Sequence, residues 1–381
     1  MRGYYEIDFM SSCADKSADA IVKYYWHNGD FVLHVTDAGF SSTAEKVLEH
    51  ISYHYATHGR IDHLVITHDD QDHASGARVI LENFRVENLW INNPSWFAGE
   101  LLPKFDSYTS ELHLFRRLRS DYSDLAEAED AARRQRTNIH LAFAGAQIGA
   151  FTVLSPTREF FLQMVLGSRK TPRSSFAGVR MNPPLSLAAP VGFASAAEKP
   201  RPAHEILYGV SDKKLVSAAW GEELFSPEHT EPDNELSIVQ FADFAGHRVL
   251  LTADAGRRGL LGALLFARHR GIDVSSLRVF QAPHHGSRRN VDAGILNAWL
   301  GPITPPPMYW DQMPQRWAMI SAAEKDPDHP RKAIVRALAH RGYRPVTQNG
   351  ADWVRFYNET ITTFHGAPLS ILPYPQSHEA N

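Results

Sequence analysis

The run His68-Asp69-Asp70-Gln71-Asp72-His73 follows the apolar, strand-like segment His63-Leu64-Val65-Ile66. Its members His68, Asp70, Asp72 and His73 fall in the order His-x-Asp-x-Asp-His. Imidazole nitrogens and carboxylate oxygens are the donors that zinc, manganese and iron prefer, and a strand ending in a tight turn can aim several of them at one point. A merely solvated acidic turn would have no need of that order. Further along, Asp254 follows Leu250-Leu251-Thr252-Ala253, and the pair His284-His285 follows the apolar stretch Leu277 to Gln281. Two cations held side by side need about six to eight protein donors, a bridging carboxylate and a position left for water. The sequence offers donors of the right kind in that number.

The loop resembles the metal-binding motif of the metallo-β-lactamase superfamily, His-x-His-x-Asp-His, with Asp70 standing where the second histidine usually sits. With Asp in that slot it resembles the soluble hydrolase domain of ComEC competence proteins and their stand-alone relatives. Further segments recur in that domain's order. Ser17-Ala18-Asp19-Ala20-Ile21-Val22 and Thr36-Asp37-Ala38-Gly39 are similar to its opening turns. Leu250-Leu251-Thr252-Ala253-Asp254-Ala255 resembles its Leu-Leu-Thr-Gly-Asp strand end, with Ala253 for glycine. Ala282-Pro283-His284-His285-Gly286-Ser287 matches its His-His-Gly-Ser element, and Ile320-Ser321-Ala322 with His329-Pro330 is similar to its closing strand and helix.

The resemblance implies two divalent metal ions, zinc by preference, with manganese or iron as alternatives. One would be held by His68 and Asp70, the other by Asp72, His73 and one of the histidine pair, with Asp254 bridging. His284 is expected as that ligand, and His285 as the neighbouring group that transfers a proton; Asp72 and His285 are the expected catalytic residues. A further histidine is usual, and His229 in Ser226-Pro227-Glu228-His229-Thr230 lies at a fitting separation before Asp254. The alternative is an Asn-x-x-Ser strand start, which Asn234 to Ser237 matches. Asp19 and Asp37 are expected to orient ligand histidines. His329 is expected either to face the cleft or to start a helix. Ser287, Arg288, Arg289 and Asn290 form an expected substrate-binding anion cradle, with Arg257 and Arg258 adding to a positive rim.

Such a site has to be placed by a sheet and its crossovers. Apolar and β-branched stretches predict strands over Ala20 to Trp26, Phe31 to Val35, Val86 to Ile91, Phe151 to Ser155, Leu236 to Phe241, Arg248 to Thr252, Leu277 to Gln281, Arg344 to Thr347 and Trp353 to Phe356. Ser42-Thr43-Ala44-Glu45 has capping-box spacing and predicts a helix to about His58, closed by Gly59. Helices are also predicted over Ala77 to Phe84, Glu111 to Arg136, Leu260 to Arg270 and Pro330 to His340. The arginines of the Glu111 to Arg136 stretch read as a solvated face laced with Asp124, Glu127 and Glu129. Alternating strands and helices give an α/β chain, and the resemblance makes it an αββα sandwich of two mixed sheets flanked by helices. It is read as a single domain over 1–381. The Pro, Ala and Ser-rich stretch 167–225 is long for a loop, and reads as an insertion, a lid or an interaction segment.

At 381 residues, 43% hydrophobic and 22% charged, the composition is that of an ordinary soluble globular protein. The single cysteine, Cys13, rules out an intrachain disulfide and a cysteine-cluster metal site, and favours a reducing, cytoplasmic setting. No apolar run is long enough to span a membrane, and no secretory leader is evident. A net charge of -4 argues against a dedicated nucleic-acid-binding protein, though local patches can still serve. No phosphate loop, dinucleotide-binding glycine pattern or Gly-x-Ser-x-Gly nucleophile turn is present. The expected activity is a metal-dependent hydrolase, first of all a phosphodiesterase or nuclease acting on a nucleic acid or nucleotide. The alternatives are a hydrolase of small esters, lactones or amides, and a non-catalytic regulatory module.

Overall fold

In a computed structural model, the structure describes residues 3–12, 16–172, 205–206, 215–308, 315–348, 351–358, 360–363 and 369–380. Its centre is a pair of eight-stranded sheets. The first runs in the order Thr360–Thr363, Trp353–Tyr357, Tyr5–Met10, Ala20–His27, Asp30–Ala38, Ile61–Val65, Val86–Trp90, Asn138–His140. It is antiparallel up to Asp30–Ala38 and parallel from there on. The second runs Ser370–Ile371, Arg344–Thr347, Trp317–Met319, Leu277–Gln281, His247–Leu251, Val239–Phe244, Phe151–Ser155, Gln147–Ile148. Its parallel block is the four strands from Arg344–Thr347 to His247–Leu251.

Side-chain alternation explains why these strands are apolar on both faces. On Ala20–His27, Ile21 and Tyr25 join the cluster shared by the two sheets, whereas Ala20 and Val22 join the one formed with helices. His247–Leu251 does the same, Val249 and Leu251 facing the other sheet and Leu250 the helices. The helices Ser41–His54, Ala77–Asn83 and Ser123–Gln135 cover the first sheet, and Arg257–His269, Ala293–Leu300 and Lys332–His340 the second. The architecture is therefore the expected αββα sandwich, two large mixed sheets flanked by helices.

Local expectations differ in places. The helix predicted from a capping box begins at Ser41 after Phe40, with no side-chain cap, so Ser42 lies inside its first turn. The predicted Glu111 to Arg136 helix is two, Glu111–Asp121 and Ser123–Gln135, because each buries a different cluster. Of the leucines there, Leu114, Leu118 and Leu125 are buried and Leu112 is exposed. Arg119 pairs with Glu129 at 3.0 Å and with Asp130 at 2.7 Å, but Glu129, expected on a solvated face, is buried. Of the expected insertion, residues 173–204 and 207–214 lie outside the described residues, as does Cys13. Its far edge, Leu215–Ser217, pairs with Ser377–Glu379 and Glu205–Ile206 in a small third sheet. No described helix is long and apolar enough to cross a membrane.

Candidate metal centre

Apart from His229, every expected donor sits at the carboxyl end of a strand or in the turn that follows it, which is where α/β sheets place their ligands. Asp37 ends Asp30–Ala38, the loop follows Ile61–Val65, Asp254 follows His247–Leu251, and the histidine pair follows Leu277–Gln281. Asp70 precedes the one-turn helix Gln71–Ala74, and that turn carries Asp72 and His73 side by side.

Asp37 orients the loop. Its carboxylate accepts from the Thr67 amide and hydroxyl, both at 2.8 Å, and from His73 Nδ1 at 2.8 Å. With Nδ1 committed as a donor, the lone pair of His73 Nε2 faces the centre. Nε2 lies 3.1 Å from Asp254 Oδ1 and 3.9 Å from Asp72 Oδ2, and Asp72 Oδ2 is 3.0 Å from His285 Nε2. Asp72, His73 and His285 thus form one compact donor group, with Asp254 beside it on His73 Nε2. His68, His73 and Asp254 form a second compact donor group, and Asp19, Asp37 and His73 a third, the ligand atoms of each lying within 4.8 Å of one another.

His68 Nε2, His73 Nε2 and Asp254 Oδ1 are buried without a hydrogen-bond partner. Buried polar atoms are nearly always satisfied, so these orphans, aimed at one another, fit a divalent cation. Without an ion, burial disfavours charge on His73, yet the Asp254, Asp37 and Asp72 carboxylates hold its imidazole well above the ordinary value. Burial likewise opposes charge on His285, but the bond to Asp72 and the nearby carboxylates push it up to about 9. Protons thus occupy positions that a cation would take over.

Gln281 is a member that sequence reasoning missed. Its Oε1 accepts from the Thr252 and Ala253 amides at 2.9 and 3.1 Å, and its Nε2 donates to Asp19 Oδ2 at 2.8 Å. It fixes the Asp254 turn from an adjacent strand. The Ala253, His284 and His285 backbones lie at φ of 45°, 48° and 52°, the left-handed region that non-glycine residues seldom occupy.

The histidine pair is placed in the reverse of the expected order. His285 faces Asp72 and His73, while His284 is part-exposed, with Nδ1 accepting from Asn234 Nδ2 at 2.8 Å and 3.6 Å from Asp254 Oδ2. The left-handed turn swings the second imidazole inward. His329 stacks on His284, ring centres 5.5 Å apart.

On the other side, His68 Nε2 is 3.6 Å from Asp70 Oδ2 and 4.0 Å from Asp254 Oδ2. The other Asp70 oxygen receives the Lys170 ammonium at 2.9 Å, which also donates to the Asp69 carbonyl at 2.9 Å. Lys170 belongs to no motif and was invisible in the sequence. His229 is exposed and joins none of the donor groups among the described residues. The Asn-x-x-Ser alternative occupies the site instead: Asn234 Nδ2 donates to Asp254 Oδ2 at 3.2 Å, and Ser237 Oγ contacts His68 Nδ1 at 3.3 Å.

The expected anion cradle is not assembled. Asn290 Nδ2 donates to the Asp254 carbonyl at 2.7 Å and so holds the turn. Arg288 donates to the Glu379 carbonyl at 3.2 Å, Arg289 pairs with Glu228, and Ser287 Oγ accepts from the Arg289 amide at 3.3 Å. Nor do Arg257 and Arg258 make a rim: Arg257 binds the Ser226, Arg288 and Val291 carbonyls, and Arg258 lies over Phe160.

Residues 24–106, which include the His68 to His73 loop, match the family model described as the Metallo-beta-lactamase superfamily. With the sandwich architecture, this is a metallo-β-lactamase type of fold. No curated protein matches the chain. Among solved structures, a Thermotoga maritima protein provisionally described as a metallo-beta-lactamase is 12% identical over 70% of this chain and 92% of its own, with a TM-score of 0.31. A hydrolase described as belonging to the beta lactamase superfamily is 12% identical over 94% of this chain and 79% of its own, with a TM-score of 0.30. Likenesses that distant carry no argument about the reaction.

Proposed function

We propose that this chain is a metal-dependent hydrolase that cleaves phosphodiesters in a nucleic acid or nucleotide. The observation that carries the reading is the donor group of Asp72, His73 and His285 with Asp254 beside it, among them buried donor atoms that lack any other partner. Mixed nitrogen and oxygen donors suit zinc first, then manganese or iron. A divalent ion held there supplies Lewis acidity, which activates water near neutral pH and offsets charge on a phosphoryl oxygen. Asp37 holds His73 in the ligand tautomer, and Asn290 and Gln281 hold the Asp254 turn in register. His284, part-exposed beside His329, would pass a proton to a departing oxygen.

The resemblance carried by Asp70 in the motif supports a phosphodiester over a neutral lactam. The likeness to soluble ComEC domains belongs to this same reading, as does a cytoplasmic setting, which rests on the single cysteine in the chain. The test is metal content, then turnover of a generic phosphodiester, a lactone and labelled nucleic acid. Asp72→Ala with His73→Ala should lower phosphodiester turnover by about a thousandfold, the several kcal/mol that Lewis acidity supplies. His229→Ala, at an exposed position, should leave metal content and turnover unchanged. Cleavage that survives the double change would overturn the proposal.

A further inference from the structure

We propose that the Lys170 ammonium stands in for a second metal ion, so that the chain loads one divalent cation, at Asp72, His73, Asp254 and His285. This rests on the metal-hydrolase reading above and narrows it. The two halves of the site are unequal. The first offers His73 with Asp72, Asp254 and His285 around it, and His73 Nε2 and Asp254 Oδ1 are orphaned donor atoms.

The second half would have to be built from His68, Asp70 and the far oxygen of Asp254; His68 Nε2 has no hydrogen-bond partner, but the two carboxylates are already engaged. Asp70 Oδ1 is taken by the ammonium at 2.9 Å, and its Oδ2 stands 3.6 Å from His68 Nε2. Asp254 Oδ2, the oxygen that would bridge, already accepts from Asn234 Nδ2 at 3.2 Å. The further histidine that could complete the set, His229, is exposed. A dication needs several anionic or neutral lone pairs, and an ammonium on one of its carboxylates repels it directly.

Lys170 is pinned where it is. Ser168 Oγ, which accepts from the Lys170 amide at 3.0 Å, donates to Asp233 Oδ1 at 2.6 Å, and Thr171 Oγ1 donates to the Val165 carbonyl at 2.8 Å. The ammonium also lies 5.7 Å from the Tyr122 ring centre and donates to the Asp69 carbonyl. With its three donors on the Asp69 carbonyl, the Asp69 carboxylate and Asp70, the ammonium brings to the Asp70 side the positive charge that a second ion would bring.

The test uses the full chain stripped with a chelator and reloaded with Zn2+ alone, the tightly held metal being counted per chain by elemental mass spectrometry. Wild type and Lys170→Arg should hold one equivalent. Lys170→Ala and Lys170→Gln, which free the Asp70 carboxylate, should tighten a second equivalent by at least about tenfold, the scale on which neighbours of a ligand tune affinity. Asp72→Ala should lose the first. Two equivalents in wild type would overturn the proposal, and so would a single equivalent in both neutral variants. If wild type holds one ion but cleaves no phosphodiester, the hydrolase reading falls and the single-ion site stands.

Discussion

At the scale of single residues, the centre depends on groups that would not themselves touch a metal. Asp37 has no free choice of partner: one carboxylate oxygen serves the Thr67 amide, and the other serves the Thr67 hydroxyl and His73 Nδ1. Asp37→Asn keeps an acceptor for the amide but turns the amide Nδ2, a donor, on His73 Nδ1, which favours the tautomer with the proton on Nε2. Metal affinity should fall about 10- to 100-fold while the fold persists, as read by competition with a chromophoric chelator. An affinity that stays level would mean that His73 needs no orienting carboxylate. The same scale shows why residue type alone does not separate His284 from His285. Both are imidazoles in adjacent positions, and only the backbone torsions decide which one points inward.

At the scale of elements, strand ends carry the chemistry, and what packs beneath them sets their position. The segment Gly39 to Gly76 closes on itself, the Gly76 amide donating to the Gly39 carbonyl at 2.9 Å. A Cβ at Gly76 would come within 2.4 Å of the Ala38 carbonyl oxygen and 2.8 Å of the Ala44 Cβ. Gly76→Ala therefore forces the start of Ala77–Asn83 away from the strand that bears Asp37. It should cost about 2–3 kcal/mol in denaturant unfolding, at the upper end of overpacking, and weaken metal binding as well. Several elements were legible because their apolar period is local: Phe151–Ser155, Leu277–Gln281 and Arg344–Thr347 have the predicted ends. The helix breaks at Tyr122 and the late start at Val239 were not, since there the chain answers to which cluster it buries rather than to its own periodicity.

At the scale of the whole molecule, the two sheets are joined by a polar tie as well as by apolar packing. Lys23 and Thr36 from the first sheet meet Gln240 from the second, with His34 2.9 Å from the Lys23 amine, all of them buried. Burial holds the Lys23 amine well below the ordinary lysine value, against the pull of Asp37. The sign follows. Between its depressed native value and about 10.4 the unfolded chain keeps a proton that the native one lacks, so this group's contribution to stability rises with pH. Wild type should therefore gain on Lys23→Met as pH goes from about 7 to 9, by up to about 1.4 kcal/mol per pH unit. Equilibrium unfolding of both proteins across that range measures it, and parallel pH curves would show that the buried amine is charged.

The sequence by itself determined the donor chemistry, because ligand type is a property of the side chain. It also determined the strand-turn-helix setting of each donor, because hydrophobic period and turn residues act over a few positions. Only the tertiary structure decided which donors converge: His285 ahead of His284, Asn234 and Ser237 in place of His229, Asn290 on the Asp254 turn, and the arginines on other partners. Lys170 reaches Asp70 across 100 residues of chain. Contacts of that span are fixed by how the layers pack and which way a turn swings its side chains, and neither is written in local composition.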